Sequence, residues 1–127
     1  MDRAKAFYTG QAGFTLDVDT SPAEGLRVVQ LTPPGSACSI TIGTGLGLAA
    51  PGSVRGTHLV VSDIVAARTG LVERGVEVSD IRHLDAGAGG WRPGPDPARR
   101  DYASFADFAD PDGNSWVLQE VGHAAGA

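Results

Sequence analysis

The chain has 127 residues, 42% of them hydrophobic, with a formal net charge of −5 and a single cysteine. That length suits one domain, or two small halves sharing a core. Ten basic residues against fifteen acidic ones provide no cationic stripe for phosphates, which argues against a nucleic-acid or anionic-membrane partner, and one cysteine rules out an internal disulfide and a cysteine-rich metal site.

The first expected element is a helix over residues 2–12. Asp2 serves as its N-cap, Gly13 supplies a left-handed stop, and Ala4, Phe7 and Tyr8 form an apolar stripe. Alternation then predicts strands at "FTLDVD" (14–19), "RVVQLT" (27–32) and "CSITIG" (38–43), with turns at "SPAEG" (21–25) and "PPGSA" (33–37). Cys38 falls in an apolar run, where a buried, inert thiol is expected. Residues 44–56 are rich in Gly and Pro and read as a linker.

"THLVVS" (57–62) is a fourth strand, and Asp63 caps a helix over 64–74 with Ile64, Ala67 and Leu71 on one face and Gly75 as its stop. "VEVSDIRHL" (76–84) reads as a strand and residues 85–101 as a long polar loop. "YASFADFA" (102–109) and "SWVLQEV" (115–121) are strands joined by a hairpin turn at "DPDGN" (110–114). That turn is no calcium loop, because Gly113 comes fourth and strands flank it. The tail "GHAAGA" is expected to fray. No leader or membrane-length apolar run is seen, so a cytoplasmic location is expected.

The chain repeats itself. Each helix starts at an Asp, ends at a Gly and runs into an alternating strand followed by two more. The second copy also has a strand before its helix, giving β–α–β–β–β, and the first copy has no counterpart to it. An open sheet edge is therefore expected, filled by a dimer mate or by residues upstream of Met1.

"DRAKAFYTGQAGF", "HLVVSDIVAARTGLVERGVEV" and "ASFADFADPDGNSWVLQE" together resemble the vicinal oxygen chelate superfamily, which includes glyoxalase I, extradiol dioxygenases and bleomycin-resistance proteins. The resemblance implies an α+β fold of tandem βαβββ modules, about 1–43 and 57–121 around the linker 44–56, forming an open curved barrel whose first module lacks its N-terminal strand. It also implies a divalent metal (Zn, Ni, Fe, Mn or Mg) in the cavity. His58 and Glu120 match the family's ligand positions, with Glu120 doubling as the catalytic group. Ser39 and Thr41 stand where some members place a Glu.

Strand alternation bears on these positions independently. His58, Val60 and Ser62 share the face opposite Leu59 and Val61, which suit packing on a helix. Trp116, Leu118 and Glu120 share one face, where burial would raise the carboxyl pKa unless it is paired or metal-bound. The expected pocket comprises Gln30, Ser39, Thr41, Val60, Trp116 and Leu118. A third ligand would come from Gln30, from His83, from a partner chain or from the absent strand. Arg99 and Arg100 are expected in a solvated loop or over an acidic ligand, and His123 in the tail with no role.

Two functions follow. One is a glyoxalase- or dioxygenase-like enzyme whose metal acts as Lewis acid on a small molecule. The other is a metal-free homodimer that binds an aromatic or antibiotic-like molecule, as the resemblance to bleomycin-resistance proteins implies.

Overall fold

The computed structural model describes residues 1–47, 50–85 and 90–123. The expected fraying at 124–127 lies outside these residues, as do parts of the 44–56 linker and the 85–101 loop.

The opening helix is shorter than expected. α1 spans Asp2–Ala6, with Met1 rather than Asp2 at its N-cap, and the chain then widens into a π-helical turn, Phe7–Gln11. The Ala12 N–H reaches back five residues to the Phe7 carbonyl. The wider turn lets the adjacent Phe7 and Tyr8 both be buried, together with Ala12. Gly13 takes the left-handed conformation as expected, at φ 80°.

Three antiparallel strands follow in the order β1-β2-β3: β1 (Thr15–Ala23), β2 (Leu26–Thr32) and β3 (Ile40–Thr44). The expected turn at 21–25 is mostly strand, since the chain reverses only at Glu24 and Gly25. Cys38 precedes β3 and is exposed, not buried. The expected strand 38–43 starts two residues late, so the thiol never enters the sheet.

The second sheet has the order β4-β8-β7-β5-β6. Its strands are β4 (Thr57–Val61), β5 (Arg82–Asp85), β6 (Gly90–Pro93), β7 (Ser104–Ala109) and β8 (Ser115–Glu120). β4 runs parallel to β8, and the remaining pairs are antiparallel. α2 (Ile64–Glu73) follows β4. The Asp63 carboxylate accepts from the Ala66 N–H at its start. At its end, Gly75 N–H bonds Val72 O and Val76 N–H bonds Leu71 O, the paired closure that a left-handed glycine permits.

Two expectations in this half fail. Residues 76–81 form no strand, although Val76, Val78 and Ile81 do pack on the core. Isolated bonds hold this stretch: Ser79 exchanges two bonds with the Asp107 backbone, and Arg68 donates to the Ser79 carbonyl. Burial alternates there without a ladder. Conversely, β6 lies inside the expected loop, at a sheet edge where Pro93 is tolerated.

One apolar core joins both sheets and the helices. It contains Phe7, Tyr8, Phe14, Val29, Leu31, Ile64, Leu71, Ala106, Phe108, Trp116 and Leu118. Among the described residues, β3 and β4 are each hydrogen-bonded on one side only, as are β1 and β6. Among the described residues, no helix is long and apolar enough to cross a membrane.

Candidate functional site

Register decides which side chains can meet. β4 and β8 pair as Thr57↔Trp116, His58↔Val117, Leu59↔Leu118, Val60↔Gln119 and Val61↔Glu120, and paired residues share a face. Leu59 and Val61 face the core together with Trp116, Leu118 and Glu120. His58 and Val60 lie on the outer face, with Val117 and Gln119. His58 and Glu120 are therefore on opposite faces of the sheet and are not brought together. The residue facing His58 on β8 is Val117, which has no ligand atom.

Glu120 is fully buried, and protein groups satisfy its carboxylate. Oε2 accepts the Ile64 N–H at 2.8 Å and Arg99 Nη2 at 2.6 Å, and Oε1 accepts Arg99 Nε at 2.8 Å. Burial pushes this carboxyl up. The two-pronged Arg99 contact and the helix N–H outweigh it and hold the group below the usual carboxylate range. Glu120 thus ties the start of α2 to the 94–103 loop. Arg99 itself adopts a left-handed backbone, φ 52°. A local lock presents it: the buried Asp96 carboxylate grips Arg100 at 2.6 Å and accepts its N–H, while the Asp96 N–H donates to Ser104 Oγ at 2.9 Å.

Sequence reasoning left Arg99 without a firm role. The signal that could have found it is electrostatic. A glutamate expected on the same face as Trp116 and Leu118 needs a cation, and "ARR" is the nearest basic pair in sequence.

The described residues contain a group with metal-ligand character: Asp63, Glu120 and His123, whose ligand atoms lie within 4.8 Å of one another. The Arg99 guanidinium already stands there, 3.2 Å from Asp63 Oδ1 and 2.6 Å from Glu120 Oε2. His123 Nδ1 is engaged by the Ser62 carbonyl at 3.1 Å. A divalent ion would have to displace the guanidinium from its two carboxylates, so this donor set does not fit a resident metal. His83 is buried, donating Nδ1–H to Gly94 O at 2.8 Å.

A cavity of about 520 Å³ opens between β4, α2 and the chain leading into β3. His58, Val60, Trp116 and Leu118 border it, as do Cys38 and Ile40. Trp116 and Leu118 do so from the core side. Trp116 is 6% exposed, and its Nε1–H donates to the Tyr8 hydroxyl at 3.0 Å. The other three expected pocket residues lie elsewhere, on the outer face of the first sheet. There Gln30 pairs with Thr41 and Ser39 Oγ lies 2.8 Å from Thr32 Oγ1.

From His58 the outer face of the second sheet continues as an aromatic row. The registers Phe105↔Gln119, Arg82↔Phe105 and Leu84↔Trp91 put all of these residues on one side. His58 meets Phe105 edge-on at 6.5 Å, Phe105 meets Trp91 edge-on at 5.4 Å, and Arg82 lies 4.9 Å over the Trp91 ring. The row is open to solvent: Val60 is 57% exposed, Trp91 54% and Leu84 49%. Neither Trp91 nor Phe105 was foreseen. Trp91 lies in a Gly/Pro-rich stretch without alternation, so its face could not be read.

Residues 1–118 match the family model described as the Glyoxalase/Bleomycin resistance protein/Dioxygenase superfamily. Among solved structures, the chain is similar to TnmS3, an antibiotic binding protein from Streptomyces sp. CB03234. Identity is 32% and the TM-score 0.68, with 94% of this chain and 84% of that one covered. A glyoxalase/bleomycin resistance protein from the same organism shows 32% identity and TM-score 0.68, over 94% and 90% of the two chains. A superfamily member from Sphaerobacter thermophilus DSM 20745 shows 27% identity and TM-score 0.70, over 94% and 87%. No curated protein matches the chain.

Proposed function

The chain belongs to the Glyoxalase/Bleomycin resistance protein/Dioxygenase superfamily, and from that membership we propose that it is a metal-independent binder of aromatic small molecules. The observation that carries this reading is the β4–β8 register. It sets His58 opposite Val117 and turns Glu120 to the other side of the sheet, so the two expected ligands cannot share an ion. What surrounds His58 instead is a solvent-open row of rings, the kind of surface on which a flat apolar molecule gains stacking and burial energy. The similarity to TnmS3, an antibiotic binding protein, supports the same reading.

Metal-linked catalysis, the alternative, rests on Asp63, Glu120 and His123, where Arg99 already neutralises the carboxylates. Protein purified without chelator, analysed for metals beside His58→Ala, separates the two. The proposal expects less than stoichiometric metal in both. A stoichiometric ion in the wild-type protein, whether or not His58→Ala loses it, would overturn it.

A further inference from the structure

His58 is held in one tautomer. Its Nδ1 lies 2.9 Å from the Gly56 carbonyl oxygen. A carbonyl only accepts, so Nδ1 carries the proton and Nε2 keeps the lone pair. The Asp107 carboxylate lies on the same face, opposite Val117 in register, and both of its oxygens are committed to the Arg82 guanidinium. Arg82 is engaged by Asp107 at 2.8 Å and offers no lone pair. Gln119, beside Val60 and Phe105 in register, both donates and accepts through its amide and so selects neither. The row therefore has one selective end, an imidazole acceptor, and one flat end, Trp91 with Arg82 over it.

We infer that the ligand is a fused-ring aromatic carrying a hydroxyl group. Its rings stack on Trp91 and meet Phe105 edge to face, and its O–H donates to His58 Nε2. The inference rests on the binder reading above and deepens it. A group that only accepts, such as an ether, meets a lone pair at His58 and loses the bond, which makes His58 the residue that sets specificity.

The test uses 2-naphthol and its methyl ether, 2-methoxynaphthalene, titrated calorimetrically into the wild-type protein, His58→Leu, His58→Gln and Trp91→Ala. His58 and Trp91 are exposed, and circular dichroism checks that each variant is folded. One net hydrogen bond makes 2-naphthol roughly three- to tenfold tighter than the ether for the wild type. That ratio should fall to about one in His58→Leu, with ether affinity unchanged, and be partly kept in His58→Gln, whose amide oxygen accepts. Trp91→Ala should weaken both probes by roughly three- to tenfold. Equal affinities for the two probes in the wild type, or a ratio that survives in His58→Leu, would overturn the hydroxyl inference alone, provided Trp91→Ala still weakens both. Failure of both probes to bind, or binding indifferent to Trp91→Ala, would overturn the aromatic-binder reading and this inference with it.

Discussion

Glu120 shows how one residue's environment assigns its role. A carboxylate with no exposed surface, two-pronged to Arg99 and bonded to the first N–H of α2, is a structural tie. Removing one partner of such a pair leaves an uncompensated buried charge. Glu120→Ala should therefore cost roughly 3–5 kcal/mol, while naphthol binding by the molecules that remain folded stays at the wild-type level. Acid should act through the same groups. The carboxyls of Asp63, Asp96 and Glu120 all lie below their ordinary range in the folded chain. For Asp96 the main cause is the Arg100 guanidinium, and for Asp63 it is the Ala66 N–H. Unfolded carboxylates take up protons near pH ~4, before these folded ones do. The stability they contribute is thus complete above about pH 5 and is lost as pH falls through 4 towards the folded values. Urea midpoints should be level from pH 7 to about 5.5 and drop below that, less steeply in Glu120→Gln. A midpoint unchanged down to pH ~3 would contradict this.

Among the elements, the β7–β8 hairpin ties the turn to the core. Asp110 Oδ1 accepts the N–H groups of Asp112 and Asn114, both at 2.9 Å, while Oδ2 accepts the Tyr8 hydroxyl at 2.7 Å and the Asn114 amide at 2.8 Å. Tyr8 in turn accepts from Trp116. Asp110→Ala would strand the buried Tyr8 hydroxyl and open the turn, at a cost of at least ~2 kcal/mol in chemical denaturation. Tyr8→Phe, which removes the hydroxyl itself, should cost less. This hairpin and α2 were legible in the sequence because Asp and Gly at fixed offsets encode them locally. Residues 76–81 and β6 were not. In the first, alternation records burial against the core, and burial does not require a strand partner. In the second, edge pairing recruits a Gly/Pro-rich stretch that has no periodicity of its own.

At the scale of the molecule, an α+β architecture was readable from the repeated helix-and-strand pattern, and so was the grouping of side chains by face within β4 and within β8. Their mutual register was not, because alternation within a strand does not say which face a neighbour presents. That one missing relation turned two candidate ligands into residues on opposite sides of a sheet. The open edges of β3 and β4, the latter carrying exposed Val60, also suit self-association. We propose a homodimer, which light scattering should report at about twice the 13.0 kDa chain mass; a mass equal to one chain would contradict it. The most direct test of the central claim, aromatic binding without a metal, is a calorimetric titration of 2-naphthol with and without excess EDTA. The account predicts the same dissociation constant in both. Loss of binding in EDTA, restored by adding back zinc or manganese, would contradict it.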